Sequence, residues 1–122
     1  EHYYQAQKFV GSPDKDIIPL IHQASTPEEA AALGRCSTYQ IRFDWEAVKT
    51  QIMREAVLKK FSTHSDIKEI LLSTDDELLV EDSPNDYFWG CGENKTGQNH
   101  LGQILMSVRE ELRIISMKAV AN

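Results

Sequence analysis

Within twelve residues, Glu81-Asp82-Ser83-Pro84-Asn85-Asp86-Tyr87-Phe88-Trp89-Gly90-Cys91-Gly92, the chain gathers three acids, a Tyr, a Phe, a Trp and two glycines. That mixture builds a pocket wall more readily than a core. Glycines let backbone approach a ligand closely, aromatic faces stack on rings, and carboxylates move protons or hold hydroxyls. Glu81 and Asp86 lie five residues apart around a Ser-Pro-Asn turn. As a pair they suit a proton donor beside a base or a stabiliser of an oxocarbenium ion. The competing reading makes Asp82 and Asp86 turn caps and leaves Glu81 solvated. Trp89, followed by Gly-Cys-Gly, is either a stacking surface or a core anchor at the end of a loop.

A second cluster opens the chain at Glu1-His2-Tyr3-Tyr4-Gln5-Ala6-Gln7-Lys8-Phe9. On a helix, Glu1 and Lys8 share a face two turns apart. Beside Phe9, Lys8 is either a desolvated amine, hence a nucleophile, or an ordinary solvated lysine. The loop Gly92–Gly102, running into a helix, could hold a phosphate on its backbone N–H groups, or be plain surface. It is not a Walker motif, since Lys95 precedes Gly97 and no Lys-Ser/Thr pair follows. Arg35 and Arg42 flank the loop before Trp45 and are further phosphate candidates. His2, His22, His64 and His100 show no metal-ligand spacing. Cys36 and Cys91 form neither a disulfide framework nor a zinc knuckle, and read as reduced thiols. Met53, Met106 and Met117 read as core filling.

The elements that must position these residues are mostly helical. Tyr3, Ala6 and Phe9 have helical spacing, and Gly11-Ser12-Pro13-Asp14 breaks that helix. Residues 15–24 predict a short helix disturbed or restarted at Pro19. Thr26-Pro27-Glu28-Glu29 is an N-cap, a first-turn proline and a capping-box acid, opening a helix that stops at Gly34. Asp44 caps a helix with an apolar stripe of Trp45, Val48, Ile52, Ala56 and Phe61. Ser65 starts another, with Ile67, Ile70 and Leu71 inward. Glu77–Glu81 predicts a strand, although the chain offers it no partner. From Asn99 a long helix places Leu101, Ile104, Leu105, Val108, Leu112 and Ile115 on its apolar face. Its exposed side carries Arg109, Glu110, Glu111 and Arg113.

At 122 residues, with 41% hydrophobic and 26% charged residues, the chain reads as one domain, residues 1–122. No apolar run matches a membrane span, no signal-peptide pattern is present, and the expected location is the cytoplasm. A net charge of −6 argues against nonspecific attraction to nucleic acid or anionic membrane, but not against a small phosphorylated ligand.

Several blocks, in order, resemble the NADAR (YbiA-like) family. They are Glu1–Phe9, Leu33-Gly34-Arg35, Arg42-Phe43-Asp44-Trp45, Met53-Arg54-Glu55-Ala56 with Lys60-Phe61, and Leu79-Val80-Glu81. Asp86–Gly90, Gly97–Gly102 and Leu105–Arg109 complete the series. The resemblance implies an α+β fold, mostly helical, and an N-glycosidase acting on ribosylated nitrogen without a cofactor or metal. It also implies the substrates. These are phosphorylated ribosylamino-pyrimidine intermediates of riboflavin synthesis, or ADP-ribosylated guanine in nucleic acid; no membrane or protein partner is implied. By similarity, Lys8, Glu1, Glu81 and Asp86 are the catalytic candidates, with Lys8 either forming a Schiff base or orienting a carboxylate. Tyr4, Arg35, Trp45, Trp89, Gly90 and Asn99 are the substrate-binding candidates. Family members usually carry a Phe-Ser-Asn-Phe-like stretch before the Glu-His-Tyr block; the given sequence lacks it, which leads us to expect an incomplete amino end and missing strand partners. Ser37, Gln98 and His100 stand where a relative can carry basic residues. The alternatives are a noncatalytic module binding ADP-ribose or a nucleotide, and a fragment inactive by truncation.

Overall fold

The computed structural model describes residues 1–121. Six helices follow in order: α1 (His2–Gln7), α2 (Ile17–Gln23), α3 (Pro27–Arg35), α4 (Trp45–Thr63), α5 (Ser65–Ser73) and α6 (His100–Ala121). Among the described residues there is no β-strand, so the α+β expectation gives way to an all-helical one. The chain divides into two compact units, Glu1–Ile52 and Met53–Asn122, the boundary falling inside α4.

In the first unit, α1, α2 and α3 close around Ala6, Phe9, Ile17, Ile21 and Ala30, with Leu33 and Tyr39 packed alongside. Phe9 and Ile21 are fully buried, each contributing about 1.5–3 kcal/mol of transfer free energy. Pro19 does not interrupt α2. It occupies the first turn, where its missing N–H deprives no carbonyl of a partner. α3 opens as its sequence requires: Thr26 Oγ1 accepts from Glu29 N at 3.1 Å. The reciprocal bond falls one residue earlier than a standard capping box, Glu29 Oε2 accepting from Ser25 N at 2.9 Å. The helix continues through Gly34 to Arg35. His2 Nε2 lies 3.0 Å from the Ala24 carbonyl oxygen, fixing α1 to the link between α2 and α3.

The second unit has its own core of Val57, Leu71, Ile104, Val108 and Leu112. On α6 the buried positions recur every four residues, the spacing of one helix face. That face ends sooner than the sequence suggests. Ile115 is 49% exposed and Met117 66%, while Ile70 on α5 is 65% exposed. None of the three reaches the core.

Arg109 departs the other way. Expected on the solvent side, it is buried. Its Nη1 donates to Thr74 Oγ1 and to the Glu77 carbonyl, both at 2.9 Å. A buried guanidinium needs such acceptors, and these hold the turn that leads into residues 77–81. The expected strand there is irregular, and a side chain bonds its backbone. Asn99 Nδ2 donates to Leu79 O at 3.0 Å and Asn99 Oδ1 accepts from Glu81 N at 2.8 Å.

Candidate functional site

The predicted site residues fall into two groups, one in each unit. The first unit brings together Glu1, Tyr4, Lys8, Arg35 and Trp45. Glu1, Tyr4 and Lys8 sit at spacings of three and four along α1 and its flanks, so they share one face. The Lys8 amine stands 5.8 Å from the Tyr4 ring centroid and 5.9 Å from that of Trp45. The two rings meet edge to face, 5.1 Å apart at 61°. Both aromatic residues are buried, forming a floor beneath a half-buried amine. Lys8 Nζ also lies 3.4 Å from the Gly34 carbonyl oxygen, a long hydrogen bond.

Burial is the main cause that pulls the Lys8 pKa below its ordinary value, with the positive charge of Arg35 second. Glu1 opposes the shift, and Lys49 adds weakly to it. The amine is thus half-buried rather than fully solvated. A half-buried amine whose proton is loosened, with a carboxylate on the same helix face, is equipped to attack an electrophilic carbon. Arg35 is exposed at the end of α3, free to meet an anion. Arg42 serves the scaffold instead, pairing in bidentate fashion with Asp44 (Nη2 to Oδ2, 2.8 Å). Its backbone N–H donates to the Lys8 carbonyl at 2.7 Å. Asp44 keeps the expected cap position, its carbonyl accepting from Ala47 N at 3.0 Å and Val48 N at 3.2 Å, while its side chain pairs with Arg42.

In the second unit the aromatic-acidic segment is a self-bonded loop. Asp86 Oδ1 accepts from Phe88 N at 3.0 Å and Trp89 N at 2.7 Å, the turn-capping alternative. Cys91 N donates to Glu81 O at 2.9 Å and Gly92 N to Ser83 O at 3.1 Å, closing the loop on itself. Gly90 is required by that closure. A Cβ there would sit 2.8 Å from Ser83 Cβ and 3.0 Å from the carbonyl oxygens of Glu81 and Asp86. The half-buried Trp89 packs against the second core and meets Phe88 edge to face at 4.7 Å. Phe88 in turn stacks on His100 at 4.3 Å.

The phosphate cradle expected at residues 97–102 is not available. The N–H groups of Gln98, Asn99, His100 and Leu101 donate to the carbonyls of Tyr87, Gly90, Phe88 and Trp89. The Asn99 amide is likewise engaged at both ends by residues 79 and 81. Glu81 keeps a half-exposed side chain beside this loop.

Two members of the first cluster escaped the sequence reading. Gln5 is buried in it and donates to the Glu1 carboxylate at 2.7 Å. Lys49, largely buried and paired with Glu46 at 2.6 Å, lies close enough to influence Lys8. The signal for Gln5 was present: residues 1, 4, 5 and 8 complete one helical face. Lys49 comes from a remote segment and had no such signal.

A family model described as the NADAR domain matches residues 1–113. The N-glycosidase Npun_R5314 of Nostoc punctiforme is 78% identical over 113 residues, covering 93% of this chain and 72% of the relative. The chloroplastic riboflavin biosynthesis protein PYRR of Zea mays is 45% identical over 119 residues, covering 92% of this chain but 19% of that protein. The NMR structure of the Escherichia coli protein YbiA superposes with a TM-score of 0.85 at 41% identity, covering 95% of this chain and 67% of that one. The shared architecture and the ordered motifs define a hydrolase of N-glycosyl bonds, an N-glycosidase. The chain belongs to the NADAR domain family.

Proposed function

We propose that the chain hydrolyses the bond between C1 of a phosphorylated ribose and the exocyclic amino nitrogen of a pyrimidine, the linkage of the early riboflavin intermediates. The observation that carries this reading is the Lys8 amine, half-buried over Tyr4 and Trp45 with Glu1 on the same helix face. That the maize relative is a riboflavin biosynthesis protein supports a substrate from that synthesis. ADP-ribosylated guanine presents the same kind of bond, a ribose C1 on an exocyclic nitrogen, and is the second substrate to test.

The steps balance with water as the one co-reactant. The ribosylamine opens as its nitrogen lone pair expels the ring oxygen, which takes a proton. The neutral Lys8 amine adds to C1. Collapse then breaks the C1–N bond to the base, the departing nitrogen taking a proton, with Glu1 relaying it. Water hydrolyses the lysine imine, releasing the phosphorylated sugar and restoring the amine. Arg35 supplies positive field for the phosphate, and the two rings stack on the base or sugar.

Borohydride added during turnover is expected to leave a phosphoribosyl adduct on Lys8, read by peptide mass. Lys8→Met is expected to lower kcat at least about a hundredfold. Full turnover with Lys8 unmodified would remove the imine route. Tight ADP-ribose binding with no release of pyrimidine or guanine would instead mark a noncatalytic binding module.

A further inference from the structure

We propose that Gln5 is the positioning residue for the Glu1 carboxylate, and that the fold keeps a buried amide at this place for that purpose; this rests on the hydrolase reading above. The Gln5 side chain is 1% exposed. Its Nε2 donates to Glu1 Oε2 at 2.7 Å, while its Oε1 is buried and has no partner among the described residues. The orientation of the amide is fixed by chemistry. Turning it over would set its oxygen against a carboxylate oxygen.

An interior residue held this way is a poor choice for stability. A methionine or leucine would fill the same space with no orphaned acceptor. The surroundings are nevertheless shaped to admit Gln5. A Cβ at position 34 would come within 2.0 Å of Gln5 Oε1 and 2.9 Å of Gln5 Cβ, so only glycine leaves the slot open. The same Gly34 offers its carbonyl to Lys8. One glycine thus accommodates the residue that orients the acid and also touches the amine. Glu1 is exposed and would sample several rotamers by itself. The bond from a buried donor selects the rotamer that keeps its carboxylate on the Lys8 face.

The test is a double-mutant cycle on the full chain, with kcat, KM and melting temperature measured for Gln5→Met, Glu1→Ala and the pair. Gln5→Met is expected to melt no lower than the parent and to leave KM within about twofold. Its kcat falls roughly ten- to a hundredfold, the size of a lost hydrogen bond to a charged group. In the Glu1→Ala background, Gln5→Met adds nothing further. Effects that multiply would assign Gln5 to packing alone and overturn the proposal. A second readout needs no turnover: the side-chain amide resonance of Gln5 is expected to move on Glu1→Ala, and an unmoved resonance would overturn the contact itself. Should the parent release neither pyrimidine nor guanine, the hydrolase reading fails and the Gln5 role falls with it. Intact parental turnover with multiplicative variants defeats the Gln5 role alone.

Discussion

The Lys8 amine lies under opposed influences, and their signs predict how the chemistry responds to pH. Burial and Arg35 lower its pKa, while Glu1 raises it. Attack on carbon requires the neutral amine, so the rate of borohydride trapping should climb as pH rises through the Lys8 pKa. Arg35→Ala removes a positive neighbour and should move that climb to higher pH. Glu1→Gln removes the negative neighbour and should move it to lower pH. A trapping profile that stays fixed in both variants would show that another group governs the step. The same shift acts on stability. Below the folded pKa the ammonium is charged in both states, and folding bears the full cost of its burial. Between that pKa and 10.5 the unfolded amine still holds its proton while the folded one has lost it, so stability rises with pH across that window. Lys8→Met should lack this slope in urea titrations run at several alkaline pH values.

At the scale of elements, one side chain bonds the backbone of the expected strand, and this too has a measurable consequence. Asn99 adopts a left-handed backbone, φ 53°, which asparagine tolerates better than most residues. In that conformation its amide bonds both Leu79 and Glu81. Gly102 leaves room for the contact, since a Cβ there would meet Leu79 O at 2.3 Å. Asn99→Ala strands two backbone groups and strains φ, so it should cost roughly 2–4 kcal/mol in urea unfolding. Asn99→Asp, which keeps the acceptor but not the donor, should fall between the two. A neutral Asn99→Ala would mean that water serves residues 79–81 equally well. This device explains what the sequence could and could not reveal. Thr26-Pro27-Glu28-Glu29 announces its helix because a cap is a local event. The shared face of Glu1 and Lys8 follows from periodicity alone. The 77–81 segment has the composition of a strand, yet its partner is a side chain eighteen or more residues onward, which no local pattern encodes. Arg109 is hidden for the same reason. It reads as one more charge on a helix until Thr74 and Glu77 are seen beneath it. The aromatic-acidic loop looked like a pocket wall, but much of its polarity closes the loop upon itself, through Asp86 and the amides of Cys91 and Gly92.

For the whole molecule, the decisive feature is that apolar burial is split between two clusters, one centred on Phe9 and Ile21, the other on Val108 and Leu112. A chain of this length has a total stability of about 5–15 kcal/mol. Phe9→Ala should remove about 3–5 kcal/mol and Leu112→Ala about 2–5 kcal/mol, both by opening cavities in close-packed interiors. The functional consequences should differ. Phe9 neighbours Lys8 in sequence and anchors the α1 turn against α2 and α3, so Phe9→Ala should loosen the amine site before the chain unfolds. Hydrogen exchange is the discriminating measurement. In Phe9→Ala, the amides of Ile21 and Ala31 should lose protection while that of Val108 retains most of its own; Leu112→Ala should reverse the pattern. Equal loss at all three amides in both variants would show that the two clusters unfold as one cooperative unit. The first-unit site would then owe its rigidity to the entire chain rather than to the three short helices around it.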